Sequence, residues 1–283
     1  MILRTRTKVL VTGASGFVGK QIIKFLLSKD IEIILVLRSK KNSMLESVSN
    51  ISNIIYSKDI FNENSDWWEI HCKGVDVIIH AAWYAEPGLY LQSSKNIDCL
   101  IGSLNLAKGA IAAKVRRFIG IGTCFEYEFK NTPLSTHSIK NPQTVYAATK
   151  LSLFHSLSNL FDEHDLEFAW CRLFYLYGED EDPRRFVPYL KEKLKNNEIA
   201  ELTSGKQIRD YLDVKDAGKL IANLAIGSQT GPVNICSGVP ISIREFAEKI
   251  ADKYGKRNLL KFGLRKDNLI DPEFVVGVRN IED

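Results

Sequence analysis

Apolar positions along this chain fall into two kinds of run. Short, wholly apolar stretches such as Val9-Leu10-Val11 read as strands buried on both faces of a parallel sheet. Residues 31–37 form a second such run, 54–56 a brief third, 74–83 a fourth, 116–124 a fifth and 167–174 a sixth. Between them, the segments starting at Gln21, Asn96 and Thr144 carry apolar side chains at helical spacing, the last continuing through Leu153, Phe154 and Leu157. Strands alternating with helices predict an α/β fold: a doubly wound parallel sheet of Rossmann type. After residue 174 the pattern changes. An acidic loop, Glu179-Asp180-Glu181-Asp182, leads through Pro183 into a lysine-rich helix, where a smaller C-terminal substrate domain is expected. Ser242-Ile243-Arg244-Glu245 reads as a capping box that starts a later helix.

The first run ends in Thr12-Gly13-Ala14-Ser15-Gly16-Phe17-Val18-Gly19. Gly13 permits a tight turn, Gly16 lets the backbone approach a pyrophosphate, and Gly19 allows helix to pack closely on strand. Phosphate charge would rest on free amides at the helix N-terminus, with Ser15, Phe17 and Val18 in the same turn. The Gly-x-x-Gly-x-x-Gly spacing resembles that of the short-chain dehydrogenase/reductase superfamily, especially its extended branch. The second strand ends at Arg38-Ser39-Lys40-Lys41, where a NAD site would place an acid for the ribose 2′-hydroxyl. A guanidinium suits a 2′-phosphate instead, so NADP(H) is the preferred cofactor and NAD(H) the alternative.

Composition narrows the class. With 283 residues, 45% of them hydrophobic, the chain can bury a large core. A net charge of +4 on 38 basic and 34 acidic residues is too mild for a nucleic-acid partner. The five cysteines are scattered without a C-x-x-C pair and read as reduced thiols, and no metal-ligand set is expected. No apolar run approaches the roughly 20 residues of a membrane span, and the first strand begins too early to leave room for a secretory signal. A cytoplasmic protein without a membrane partner is expected.

Chemistry concentrates late in the first domain. Thr123 falls at the C-terminal end of the fifth strand, the edge where ligands gather in open α/β sheets. Tyr146 and Lys150 stand four apart on one helix face. With the glycine turn, Asp59, Asn96, Arg172 and Arg209, they make the chain resemble the extended short-chain dehydrogenase/reductase family that acts on nucleotide-linked sugars.

That resemblance implies roles. Tyr146 would pass the proton to or from the sugar oxygen, Lys150 would lower the tyrosine's pKa and hold the nicotinamide ribose, and Thr123 would orient the same oxygen. Asp59 and Ile60 would lie against the adenine. Ala81 and Ala82 would let backbone approach the cofactor, and Asn96 would begin the helix beside it. Tyr175, Arg185, Val187 and Arg209 would contact the substrate, Arg209 pairing with the diphosphate. His80 reads as a satisfied core histidine. Residues 206–228 would return to the first domain, residues 1–174, with 175–283 mainly the substrate domain. The segment 233–238 would pair with Glu201-Leu202-Thr203.

Members that dehydrate the sugar place Asp-Glu after the threonine, where this chain has Cys124-Phe125. Members that epimerise two carbons pair a Cys with a His, and no histidine stands near Val187-Pro188. The expectation is NADPH-dependent reduction of a nucleotide-diphosphate 4-keto-6-deoxy sugar in deoxysugar biosynthesis. The alternatives are a NAD-dependent 4-epimerase and a non-catalytic NAD(P)-binding sensor or scaffold. A homodimer through the helices of Gly102 and Tyr146 is expected, with Leu100, Leu104, Leu153 and Phe154 serving either that interface or the core.

Overall fold

Runs that are apolar at every position can satisfy both faces only inside a layered sheet, and that is where they lie in a computed structural model that describes residues 6–39, 50–268 and 271–281. In chain order the first half gives β1 (Thr7–Thr12), α1 (Phe17–Leu26), β2 (Ile31–Leu37), β3 (Ile51–Tyr56), α2 (Ser65–Cys72), β4 (Val77–His80), α3 (Lys95–Ala112), β5 (Arg117–Thr123), α4 (Val145–Asp162) and β6 (Glu167–Leu173). The second half gives β7 (Tyr175–Tyr177), α5 (Phe186–Lys195), β8 (Ala200–Leu202), β9 (Ile208–Asp213), α6 (Val214–Ile226), β10 (Gly231–Ile235), β11 (Pro240–Ser242), α7 (Ile243–Asp252), β12 (Leu260–Phe262) and β13 (Phe274–Val275).

The main sheet has the order β10-β6-β5-β4-β1-β2-β3, with every neighbouring pair parallel. The chain winds outward from β1 to β3 and then crosses back to β4, so the carboxyl ends of β1 and β4 flank a topological switch point. One face is covered by α1 and α6, whose Ile22, Leu26, Ile221 and Leu224 bury against Val9, Val11, Ile33 and Leu35. The other carries α2, α3 and α4, with Trp68, Leu106, Leu153 and Phe161 against Leu10, Ile78 and Phe118. The sheet is therefore doubly wound, as the alternation predicts.

One pairing differs from expectation. Residues 233–235 do not pair with Glu201-Leu202-Thr203: β10 runs parallel to β6 at the edge of the main sheet, Val233 opposite Cys171 and Ile235 opposite Leu173. β8 takes β12 instead, Ala200 opposite Leu260. The burial patterns give the reason. Val233, Asn234 and Ile235 are all buried, as in a strand covered on both faces, whereas Glu201 is exposed between buried Ala200 and Leu202.

The smaller layer holds β9, which pairs with β11 antiparallel and with β7 and β13 parallel. Its core is built from Val187, Leu190 and Leu194 of α5, Phe246 and Ile250 of α7, and Leu260. Tyr211 stacks on Phe246 at 4.0 Å between ring centroids. The predicted capping box starts α7: Ser242 Oγ accepts from the Glu245 amide at 3.1 Å and Glu245 Oε2 from the Ser242 amide at 3.1 Å. Among the described residues no helix is long and apolar enough to cross a membrane.

Candidate active site

A cleft of about 1580 Å³ opens along the carboxyl ends of the central strands and continues between the main sheet and the smaller layer. Ligand pockets commonly measure about 300–1,000 Å³, so this cleft is larger than a site for one small ligand. Gly13 lies at φ +73°, and a Cβ there would stand 2.5 Å from the Ala82 amide nitrogen. The Gly16 amide donates to Gly13 O at 3.0 Å and closes the turn. A Cβ on Gly19 would meet Gly13 O at 2.0 Å. Ser15, Gly16, Phe17 and Val18 line the cleft. The N-terminus of α1 has no side-chain cap and no acid in its first turn. Its free amides and partial positive charge thus face the space that the glycines keep open, and the turn fits a dinucleotide's phosphates.

The adenine end is less uniform. Arg38 is exposed at the end of β2 and lines the cleft, while Lys40 and Lys41 lie outside the described residues. Asp59 lines it too, but its carboxylate accepts from the Phe61 amide at 3.1 Å and from Asn62 Nδ2 at 3.0 Å, shaping the turn that also buries Ile60. Ala81 and Ala82 are tied to β1, their amides donating to Thr12 O at 3.2 Å and Thr12 Oγ1 at 3.3 Å.

Asn96 departs from the sequence expectation. It is fully buried and absent from the cleft wall. Its Oδ1 accepts from Trp83 Nε1 at 2.8 Å, and its Nδ2 donates to Tyr90 O and Ser93 O at 2.6 and 2.9 Å. With donors and acceptor all spent on the protein, Asn96 shapes the wall by holding Trp83 and the Tyr90 turn.

Thr123, Tyr146 and Lys150 come together where β5 ends and α4 begins. Thr144 caps α4, its Oγ1 accepting from the Ala147 amide at 3.1 Å, which places Tyr146 in the first turn. The Thr123 hydroxyl lies close enough to the Tyr146 phenol to favour its charged form. Tyr90 packs edge-on against Tyr146 at 4.9 Å. Burial pushes the Tyr146 phenol well above its ordinary value, Tyr90 adds to the rise, and the Thr123 hydroxyl opposes it. Lys150 Nζ donates to Ile121 O at 2.7 Å and sits 3.6 Å from the Trp83 ring centre. Burial brings Lys150 down to about 7, against the pull of Cys99 and Glu126. The lowering of the tyrosine by Lys150, expected from the resemblance, is therefore not what sets its acidity in the protein alone: the ammonium is turned toward a carbonyl and an indole face, and burial disfavours both charged forms. In the protein alone the Tyr146 phenol is thus neutral and a weaker acid than a free tyrosine.

At the far end of the cleft stand Tyr175, Arg185, Val187 and Arg209. The Tyr175 hydroxyl is buried and has no hydrogen-bond partner among the described residues. Arg185 is exposed, with its guanidinium 5.8 Å from the Tyr90 ring. Arg209 is buried: Nη2 bonds Asp271 Oδ2 at 2.7 Å, Nη1 donates to Ile208 O at 2.9 Å, and the guanidinium lies over the Tyr175 ring. Arg184 is engaged by Asp182 and by Glu86, each at 2.7 Å, the latter reaching across from the loop after β4. Cys124 is a buried thiol pushed up by burial, unsuited to act as a base. Sequence reasoning passed over Trp83, Tyr90 and Glu126. Only Glu126 had a readable signal, the Thr-x-x-Glu spacing of a second capping box from Thr123.

Residues 9–236 match the model of the NAD dependent epimerase/dehydratase family. The dTDP-6-deoxy-L-talose 4-dehydrogenase (NAD(+)) of Aggregatibacter actinomycetemcomitans is 23% identical over 273 residues, 96% of this chain and 99% of that one. The CDP-abequose synthase of Salmonella typhimurium (strain LT2) is 24% identical over 278 residues, 93% of this chain and 87% of that protein. Among solved structures, the UDP-N-acetylglucosamine 4-epimerase from Methanobrevibacter ruminantium M1, in complex with UDP-N-acetylmuramic acid, superposes with a TM-score of 0.84 at 22% identity, covering 97% of this chain and 90% of that one.

Proposed function

From the premise that this chain belongs to the NAD dependent epimerase/dehydratase family, we propose that it reduces the 4-keto group of a nucleotide-diphosphate 4-keto-6-deoxy sugar with NADPH. It is a nicotinamide-dependent enzyme that modifies nucleotide sugars. The observation that carries the proposed reading is the meeting of Thr123, Tyr146 and Lys150 in one cleft with the glycine turn. Ketone reduction needs a proton delivered to the oxygen as the carbon is reduced, and the Tyr146 phenol is the group placed to give it once Lys150 and the bound cofactor offset the burial that raises its pKa. Thr123 orients that oxygen through its hydroxyl. The bound nicotinamide would supply the hydride. Gly13, Ser15, Gly16, Phe17, Val18 and Gly19 hold its pyrophosphate, and Arg38, with no acid beside it in Ser39, favours the 2′-phosphate of NADP(H) over NAD(H). Cys124 and Phe125, standing where a dehydratase carries its acids, leave no group for elimination across the neighbouring carbons.

At the substrate end, Arg209 and Arg185 supply guanidinium donors for the diphosphate, and Val187 and Tyr175 wall the sugar. In solution the enzyme is proposed to be a homodimer through α3 and α4. Leu153 is buried in the core, Leu100, Leu104 and Phe154 are half-buried against it, and Ile97 and Ile101 of α3 are exposed apolar side chains.

The test is a spectrophotometric assay at 340 nm with NADPH or NADH and a panel of nucleotide-linked 4-keto-6-deoxy sugars. NADPH oxidation with one of them, falling by roughly 10²- to 10⁴-fold in Tyr146→Phe, is the expected result. Interconversion of an ordinary nucleotide sugar with its 4-epimer, using tightly held NAD and no net oxidation, would replace the reading by that of an epimerase.

A further inference from the structure

Directly behind Thr123 lies a wholly buried charge cluster that the proposed chemistry does not use. Glu126, on the 3-10 turn Cys124–Glu126, is fully buried, as are Trp170 and Arg172 of β6. Glu126 Oε1 accepts from the Thr123 amide at 3.0 Å and from Trp170 Nε1 at 3.0 Å. Oε2 accepts from Arg172 Nε at 2.6 Å and, more weakly, from Trp170 Nε1 at 3.2 Å. The two terminal guanidinium nitrogens of Arg172 find no acceptor among the described residues. The guanidinium is instead sandwiched between the Phe154 and Tyr127 rings, at 4.7 and 5.1 Å. Gly122 has no side chain because a Cβ would fall 2.2 Å from Trp170 Nε1 and 2.5 Å from Glu126 Oε1.

Burying an ion pair is costly, and replacing one by well-packed apolar residues is often neutral or stabilising, so the cluster is poorly explained as a stability device. Its geometry points elsewhere. The carboxylate fixes the backbone of Thr123 from behind, while the Thr123 hydroxyl, accepting from the Phe125 amide at 3.3 Å, is fixed from in front. These two contacts are the halves of one capping box, so the direction of the hydroxyl that meets Tyr146 is set by where Glu126 lies. We propose that Glu126, clamped by Trp170 and Arg172, is the positioning residue that aims the Thr123 hydroxyl at the reacting oxygen. Trp170 holds Oε1 next to the Thr123 amide, which is the contact that aims the hydroxyl, while Arg172 balances the buried charge at Oε2.

This inference rests on the reading of Thr123 as a substrate-orienting group. Two matched double variants separate aiming from packing. Glu126→Gln/Arg172→Met removes both charges but keeps an amide oxygen for the Thr123 amide; Glu126→Met/Arg172→Met removes the charges and that acceptor as well. The first is expected to keep kcat within about 3-fold, and the second to lose roughly 10- to 100-fold in kcat with KM within about 2-fold, as small misplacement of an orienting group does. On a Thr123→Val background the difference between the two should vanish, since residues acting through one contact are not additive. Equal impairment of both variants, or the same difference on the Thr123→Val background, would overturn the proposal. Glu126→Asp keeps the ion pair and protects folding while withdrawing the carboxylate; it should lose kcat on the native background and nothing further on Thr123→Val, and additive loss would count against the proposal. If the wild-type protein turns over no ketosugar, the ketoreductase reading fails by itself. The positioning role is then judged from crystal structures of the NADP(H) complexes, where Thr123 Oγ1 turned from Tyr146 in the Met/Met variant alone supports it and an unmoved Thr123 sinks it.

Discussion

His80 lies inside the sheet with Nδ1 2.8 Å from Thr12 Oγ1 and Nε2 2.8 Å from Ser103 Oγ. Burial, aided by the nearby Lys150, brings its pKa down from 6.5 to about 3. The folded state then binds fewer protons than the unfolded one between those two values. His80 therefore contributes stability that is complete above pH 6.5 and is lost as pH falls toward 3, with a slope of up to about 1.4 kcal/mol per pH unit. Chemical denaturation across that window should show this slope, and His80→Gln, which keeps hydrogen-bonding atoms but does not titrate, should flatten it. An unchanged slope would assign the acid sensitivity to other groups. The same physics governs Tyr146 and Lys150. Burial puts both charged forms at a disadvantage, raising the Tyr146 phenol and bringing Lys150 down to about 7.

Among the elements, the β1–α1 turn is the most tightly constrained. A methyl group at position 19 would fall 2.0 Å from Gly13 O, backbone that cannot yield without reopening the turn. Gly19→Ala is expected to destabilise the fold by about 1–3 kcal/mol through overpacking and to weaken nicotinamide-cofactor binding far more than Ala14→Ser would. Thermal unfolding and a cofactor titration check this, and unaltered affinity in Gly19→Ala would show that the turn tolerates a wider path. The edge strand β10 teaches a different point. Its three buried positions, Val233, Asn234 and Ile235, read in sequence as a short strand, yet nothing local says which sheet it joins. Asn234 settles into the main sheet because its side chain is satisfied there, donating to Leu134 O at 2.8 Å and accepting from Tyr127 Oη at 2.6 Å.

Across the whole molecule, the cleft is bounded on one side by the glycine turn and on the other by the smaller layer, and ion pairs bridge the two. Lys20 and Lys24 of α1 reach Asp180 and Glu179 at 2.9 Å each, while Glu86 reaches Arg184. These exposed pairs are individually weak, so they order the acidic loop beside the cleft without fixing it shut. The proposed dimer belongs to this scale as well. Sedimentation at micromolar concentration should show a dimer in the native protein and weaker association in an Ile97→Glu/Ile101→Glu variant; a monomer in the native protein would remove α3 and α4 as an interface.

What the sequence determined by itself was everything carried by local pattern. Apolar runs named the six strands they belong to, the glycine spacing named the turn, and Thr123, Tyr146 and Lys150 were singled out by their order along the chain and the resemblance it carries. Tertiary structure decided what depends on which groups meet. Asn96 turned to Trp83 rather than to the cleft, Arg209 found Asp271, and Glu126 closed on Arg172. The physical reason is the same in all three. A buried polar group must find a partner wherever the packing brings one, and the partners lie 13 residues away for Asn96, 46 for Glu126 and 62 for Arg209, distances over which neither periodicity nor propensity carries information.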